Sequence, residues 1–236
     1  MTGASSGIGR AVARRLLDVG ACVSLWGRRR DRLVELASQY PTQASITVVD
    51  MLDERATLAA YQSSDAELGG IDLLVNAAGF GKASPLIDGD ADVWRAMFEV
   101  NVIALSICTR EAVRSIRERG ASGHIVHVSS LSGHRVVGGG GIYAATKFAV
   151  RALTEGLRQE LRRADLPIRV TSVSPGFVET DFHRGYFSSE ERAQALYQSM
   201  KVLEPEDVAD AVLYALASPP HVEVHDILLR SSEQVS

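Results

Sequence analysis

"MTGASSGIGR", Met1 to Arg10, is the stretch on which the reading of this chain turns. Gly3, Gly7 and Gly9 stand in a Gly-x-x-x-Gly-x-Gly spacing, the composition of a turn that opens a helix and cradles a pyrophosphate. Glycines let the backbone approach phosphate oxygens with no Cβ in the way, and the N–H groups of the first helical turn point at the anion. Ser5, Ser6 and Ile8 are the candidate contacts between and beside those glycines. Such a turn ordinarily follows a β-strand. The first strand is therefore expected to be truncated, with a short apolar strand upstream of Met1. That strand belongs at the centre of the sheet, between those beginning at Ala21 and Ile71. Without it, strands normally about 4.8 Å apart would sit twice that far apart, with backbone groups unpaired.

Outward from the turn, short apolar runs alternate with amphipathic ones. "ACVSLW" (Ala21 to Trp26), "SITVVD" (Ser45 to Asp50), "IDLLVN" (Ile71 to Asn76), "HIVHVSS" (His124 to Ser130), "IRVTSVSP" (Ile168 to Pro175) and "HDILLR" (His225 to Arg230) read as strands. Their Val, Ile and Leu content suits strands buried on both faces of a parallel sheet. "GRAVARRLLDVG", stopped by Gly20, and "EDVADAVLYALAS", opened by Pro205, read as helices. The alternation predicts an α/β fold: a Rossmann-type doubly wound parallel sheet in three layers, one catalytic domain spanning 1–236.

Composition narrows the function. A chain of 236 residues, 46% hydrophobic and 23% charged, can bury one sizeable core. A net charge of −4 argues against nucleic acid or an anionic membrane as the main partner. Two cysteines, Cys22 and Cys108, both in apolar segments, read as buried structural thiols in a reducing compartment. No leader or long apolar run stands out, and a cytoplasmic protein is expected. His221 and His225 lack a third partner at ligand spacing, as do His124, His127, His134 and His183, so no metal is expected.

In dinucleotide folds an acid about 20 residues past the loop grips the adenosine ribose. Here Gly27 stands there, followed by Arg28, Arg29 and Arg30. Losing the acid removes repulsion against a 2′-phosphate, and a guanidinium offers it planar paired donors. Arg28, and second to it Arg29, therefore points to NADP(H) over NAD(H).

Tyr143 and Lys147, four apart in "YAATK", share a helix face. A neighbouring ammonium is expected to stabilise the phenolate and lower its pKa from about 10. Ser130 ends a predicted strand, the edge at which open α/β sheets bind ligands, and its hydroxyl could hold a carbonyl oxygen beside the tyrosine. Asn101, polar within "MFEVNVIALSI", reads either as a helix-face amide or as a site group that anchors a water and supports the lysine. Flanking Ser129 and Ser132 read as backbone-bonding or pocket-lining. The glycine run Gly138 to Gly141 reads as a flexible approach to the tyrosine helix.

"TGASSGIG", "NAAG" (Asn76 to Gly79), Asn101, Ser130, "YAATK" and "SPGFVET" (Ser174 to Thr180) stand in the order of the short-chain dehydrogenase/reductase family, and the chain resembles that family throughout. The resemblance implies hydride transfer between a nicotinamide and a carbonyl or alcohol. It implies Tyr143 as general acid in reduction, Ser130 polarising the carbonyl, Lys147 on the nicotinamide ribose, and Asn101 in a proton relay. It further implies Asp50 and Met51 at the adenine, Asn76, Ala77 and Gly79 along the cofactor, and Pro175, Gly176, Val178 and Thr180 near the carboxamide. A basic residue common in NADP-using members is replaced here by Ser6. Relatives in the family pair through helices around Asn101 and Tyr143, which implies a homodimer or homotetramer. A narrower likeness, to an animal branch and its insect farnesol-dehydrogenase relatives, rests on "NVIALSICTREA", "SSLSGHRV", "ALTEGLRQELR", "PEDVA" and "SSEQVS". It implies ketosteroids, other hydrophobic carbonyls or isoprenoid alcohols as substrates.

"DFHRGYFSSEERAQALYQSM", after Thr180, carries Phe182, Tyr186, Phe187, Leu196, Tyr197 and Met200. A lid over an apolar substrate, about 181–203, is expected there, with a short helix capped by Ser188 and Glu191. Two other readings stay open: a non-catalytic dinucleotide sensor, which has no need of Ser130, Tyr143 and Lys147 together, and an epimerase or dehydratase on the same scaffold.

Overall fold

The computed structural model describes residues 1–136 and 140–235. All six expected strands form: β1 (Val23–Gly27), β2 (Ala44–Val48), β3 (Leu73–Asn76), β4 (Gly123–Val128), β5 (Ile168–Pro175) and β6 (Asp226–Leu229). Around them lie α1 (Gly7–Asp18), α2 (Arg30–Ala37), α3 (Glu54–Leu68), α4 (Ala91–Phe98), α5 (Leu105–Glu118), α6 (Gly141–Arg163), α7 (Asp181–Phe187), α8 (Glu190–Ser199) and α9 (Pro205–Ala217).

Side-chain alternation along each strand builds the three layers. Leu25, Val75, Val126 and Val173 face one way and pack with Val12, Leu16, Leu33, Val208 and Val212 of α1, α2 and α9. Trp26, Leu74, Ile125 and Val170 face the other way, onto Tyr61 of α3, Cys108, Ala112 and Ile116 of α5, and Leu161 of α6. Cys108, Ala112 and Ile116 recur every four residues, the spacing that lays one helical stripe on a sheet. Cys22, by contrast, is exposed just before β1, so only Cys108 is a buried thiol.

All strand pairs are parallel, but they form two sheets, β1–β2 and β3–β4–β5–β6. Where the sequence places the central strand, a cavity of about 300 Å³ lies between β1 and β3, walled by Ser24, Trp26, Leu74 and Val75 among others. Residues Met1–Ala4 bridge its carboxyl end: Trp26 N donates to the Met1 carbonyl (2.9 Å), Ala4 N to the Trp26 carbonyl (2.9 Å) and Thr2 N to the Val75 carbonyl (3.1 Å).

One polar side chain inside the sheet, His127, has both ring nitrogens paired. His127, on β4, is only 1% exposed. The Thr154 hydroxyl donates to the Val150 carbonyl (2.8 Å), so it accepts from His127 Nδ1 (2.9 Å). Nε2 is then the acceptor, and takes the Thr109 hydroxyl at 3.1 Å. This arrangement suits a neutral ring alone. Burial, aided by the nearby Lys147 ammonium, lowers the His127 pKa to about 3. Burial also lowers His124 and His183 to about 4.

Each of these folded-state pKa values lies below the ordinary 6.5, so the unfolded chain binds protons first as pH falls. Their contribution is complete above pH 6.5 and is lost as the pH drops toward 4. Chemical denaturation between pH 6.5 and 5 should show falling stability, and His127→Gln should reduce the slope by an amount that approaches about 1.4 kcal/mol per pH unit near pH 5. An unchanged slope would mean that His127 already takes a proton in the fold.

Candidate active site

The glycine turn is built from backbone packed on backbone. Gly3 (φ +71°) and Gly7 (φ +50°) adopt left-handed conformations open to glycine. A Cβ on Gly9 would sit 2.2 Å from the Gly3 carbonyl oxygen, and one on Gly3 would sit 2.7 Å from Ala78 N. The Thr2 hydroxyl accepts from Ala77 N (3.1 Å) and Ala78 N (3.0 Å), tying the turn to the "NAAG" segment after β3. Ser6 ends the turn in extended conformation without a side-chain cap, and no acid stands in the first turn of α1. The first N–H groups of α1 are thus open to an anion. Asn76 donates through Nδ2 to Thr109 (3.1 Å), while its buried Oδ1 has no partner. This cradle fits a dinucleotide: Gly3, Gly7 and Gly9 keep the backbone close, and the Asn76 Oδ1 and the first α1 N–H groups are unspent.

At the end of β1, Gly27 leaves space filled by Ser5, whose Oγ lies 3.0 Å from where a Cβ would be. The Arg28 side chain is 72% exposed, with Nη1 3.9 Å from Asp50. Arg29 instead donates to Asp181, the first residue of α7, at 3.0 Å. Asp50 accepts from Leu52 N (3.1 Å), while the Met51 side chain is buried in the core beside Trp26 and Tyr61.

Ser130 follows β4 and caps a short 3₁₀ turn, accepting from Ser132 N at 3.1 Å. Tyr143 and Lys147 lie on the first turns of α6, opposite Ser130 in one pocket. Lys147 is 6% exposed and its Nζ donates to the Val128 carbonyl (3.0 Å); burial lowers its pKa to about 8. That ammonium is 5.9 Å from the Tyr143 ring centre. Phe182 and Tyr186 pack on Tyr143 with ring centres 5.3 and 6.1 Å away. Their cover raises the phenol pKa well above its ordinary value, with the Ser130 hydroxyl opposing. The expected lowering of the tyrosine by Lys147 does not figure in this arrangement: burial raises the phenol, and the group that opposes it is the Ser130 hydroxyl.

Asn101 is reached by a π-helical stretch, Glu99–Ala104, between α4 and α5. One extra residue per turn rotates it inward, as such bulges do at functional sites. Its Nδ2 donates to the Phe80 carbonyl (2.8 Å) and the Thr146 hydroxyl (3.1 Å), and its Oδ1 accepts from Phe80 N (3.0 Å). A Cβ on Gly79 would lie 3.1 Å from Asn101 Oδ1 and 3.7 Å from Lys147 Nζ, so Asn101 clamps this loop against the lysine. Of the glycine run, Gly138 and Gly139 lie outside the described residues, while Gly140 caps α6 and Gly141 begins it. Ser129 Oγ donates to the Lys147 carbonyl (3.3 Å).

A cavity of about 230 Å³ joins these parts. Ile8, Ala77, Gly79 and Thr180 line it from the cofactor side, Ser130, Tyr143 and Lys147 at the centre, and Phe80, Leu131, Phe177, Phe182, Tyr186 and Phe187 beyond them. Pro175, Gly176 and Val178 line it as well, at the end of β5. The segment after Thr180, where a lid is expected, is two helices, α7 and α8. Ser188 (φ +51°) breaks between them, and Ser189, not Ser188, caps α8, accepting from Arg192 N (3.2 Å) and donating to Glu191 (2.7 Å). Sequence reading missed two polar lining residues, His183 and Gln234. His183 Nδ1 is 2.9 Å from the Tyr197 hydroxyl. Gln234 comes from a segment with no periodicity, and its partner lies 57 residues away.

Residues 1–191 match the family model described as short chain dehydrogenase. The chain belongs to the short-chain dehydrogenase/reductase family, a family of oxidoreductases. Among its relatives, Dehydrogenase/reductase SDR family member 11 of Bos taurus is 45% identical over 100% of this chain and 96% of its own length. The Homo sapiens protein of that name is 44% identical over 100% and 94%. Among solved structures, the closed form of a serine dehydrogenase complexed with NADP+ superposes with TM-score 0.94, at 32% identity, covering 100% of this chain and 95% of that one. An alcohol dehydrogenase from Thermococcus sibiricus, complexed with 5-hydroxy-NADP, gives TM-score 0.85 at 26% identity, covering 100% and 97%.

Glycine substitutions should separate close approach from mere flexibility. Gly9→Ala forces a Cβ into the Gly3 carbonyl and should cost about 1–3 kcal/mol. Gly156→Ala, in the middle of α6 with no neighbouring atom within 4 Å, should stabilise, by about 0.5–1 kcal/mol. Opposite shifts of the two denaturation midpoints are the expected result.

Proposed function

We propose that this chain is an NADP(H)-dependent carbonyl reductase and alcohol dehydrogenase acting on hydrophobic ketones or aldehydes. The observation carrying this reading is the single cavity that places Ser130, Tyr143 and Lys147 between a glycine cradle and an aromatic lid. The chemistry a bound nicotinamide supplies is a hydride given to, or taken from, the carbonyl carbon.

In the reduction direction, the Ser130 hydroxyl donates a hydrogen bond to the substrate oxygen. Tyr143, kept fully protonated by burial, donates its proton to that oxygen as negative charge develops there. Lys147, pinned on the Val128 carbonyl, holds the ribose and places positive charge near the phenolate left behind. Asn101 fixes the Gly79–Phe80 loop through its side-chain amide and completes the proton relay beside Lys147. Phe182, Tyr186 and Phe187 exclude bulk water and favour bulky apolar substrates over small charged ones.

NADP(H) over NAD(H) is supported by Arg28, which projects into solvent beside Gly27 with a weak partner, whereas Arg29 is occupied by Asp181. The name of the serine dehydrogenase structure, an NADP+ complex, agrees with it. Cytoplasmic operation is part of the same reading; among the described residues no helix is long and apolar enough to cross a membrane. Pairing of copies across α5 and α6 is supported by exposed apolar side chains at Ile103, just before α5, and at Phe148 and Leu153 on α6.

Titration with NADPH and NADH in parallel, followed by turnover of a bulky aryl ketone, tests the reading. NADPH should bind at least about tenfold tighter, and Arg28→Ala should remove that preference while sparing NADH, since bonds to a charged group contribute about 1.5–3 kcal/mol. Tyr143→Phe should lower kcat at least about a hundredfold at unchanged NADPH affinity, the upper range for a lost proton donor being about 10⁴-fold. Turnover that survives Tyr143→Phe would overturn the mechanism.

A further inference from the structure

The C-terminal tail, after β6, leaves the sheet and turns back over the end of β5. Gly176 N donates to the Leu229 carbonyl (2.8 Å), and the tail closes a turn in which Gln234 N donates to the Ser231 carbonyl (3.1 Å). From that turn two neighbouring side chains diverge. Gln234 Oε1 accepts from Phe177 N at 2.9 Å, and Glu233 Oε2 accepts from Lys201 N at 2.7 Å. Phe177 lies just before the lid and Lys201 just after α8.

Both points flank a backbone stitch. Leu203 N donates to the Phe177 carbonyl (3.0 Å) and Glu179 N to the Leu203 carbonyl (2.8 Å), a two-bond parallel stitch between the lid's ends. The tail therefore holds, from outside the lid, the backbone on both sides of that stitch. Gln234 is 5% exposed and lines the cavity together with Ser130 and Tyr143. A buried carboxamide is costly unless paired, and a lost partner leaves Phe177 N unsatisfied as well. The fit is close: a Cβ on Gly176 would meet Gln234 Oε1 at 2.2 Å and Arg230 Cβ at 2.9 Å, so a side chain there would push Gln234 off Phe177 N.

We infer that the C-terminal tail braces the lid hinge, with Gln234 as a positioning residue that fixes Phe177 and hence the cavity wall for a bulky substrate. The kinetic half of this inference rests on the proposed carbonyl-reductase reading; the hinge half does not. Gln234 touches the wall and not the reacting atoms, so its loss should act on substrate fit more than on proton transfer.

Amide hydrogen exchange on the full chain, with and without NADPH, tests the hinge directly. Gln234→Met keeps the length and removes the acceptor; exchange at Phe177, Leu203 and through α7–α8 should speed about tenfold, while α5 and α6 stay as they were. Glu233→Ala should speed the same segment, and Glu233→Gln, which keeps an acceptor for Lys201 N, should restore protection. In kinetics, Gln234→Met should raise KM for a bulky aryl ketone about tenfold, with a smaller change in kcat. Unchanged lid exchange in both Gln234→Met and Glu233→Ala would overturn the brace. So would equal acceleration across α5, α6 and the lid, which marks general loosening. Absence of turnover with every carbonyl tried would count against the carbonyl-reductase reading alone, because the exchange pattern still decides the hinge.

Discussion

The close approach of Gly9 to the Gly3 carbonyl is the constraint on which the molecule depends. It draws α1 onto the turn, and the turn is also the backbone join, among the described residues, between the β1–β2 and β3–β6 sheets. Trp26 on one side and Val75 on the other are reached from Met1, Thr2 and Ala4. Thr2 then spends its hydroxyl on Ala77 and Ala78. One short segment thus holds two sheets in register and shapes the cradle for a dinucleotide. A ligand gripping Gly3–Gly9 would bear on both sheets at once, so binding and cohesion of the fold are linked by mass action.

A second constraint is electrostatic. Lys147 is buried, and burial of an ammonium is costly unless its surroundings are arranged for it. The Val128 carbonyl supplies the acceptor. The nearby His127 must then stay neutral, and Thr109 and Thr154 hold it in a tautomer with both nitrogens satisfied. A charged ring there would oppose Lys147 and turn a second N–H, on Nε2, toward the Thr109 hydroxyl, which already accepts from Asn76. The core beneath the site is polar for a reason that the site itself imposes.

Much of this was legible in the residues. Six strands and the Gly3–Gly7–Gly9 turn announce themselves through local pattern, because strand burial and phosphate approach both restrict residue type at fixed spacing. Ser130, Tyr143 and Lys147 were readable for a similar reason: strand end and helix face place them before any packing is known. What escaped is non-local. The helix break at Ser188 moves the α8 cap by one residue, since Ser189 rather than Ser188 has the extended backbone a cap requires. The raised Tyr143 pKa comes from Phe182 and Tyr186, whose position over the ring is set by the chain's return and not by spacing. Gln234 carries no periodic pattern, and its bond to Phe177 N spans 57 residues.

The lid is held at two places of unequal strength. At its leading end, Asp181 is paired with Arg29 and Arg184, all of them substantially solvent-exposed. Exposed ion pairs contribute about 0–1 kcal/mol and weaken with salt, so this contact can be exchanged for another anion at little cost. At the hinge, by contrast, Phe177, Leu203 and Gln234 share backbone and carboxamide bonds at a part-buried site, where each lost partner leaves a desolvated group behind. On the proposed reading, the bonds at Phe177, Leu203 and Gln234 fix the position of α7–α8 more firmly than the exposed Arg29–Asp181 pair does.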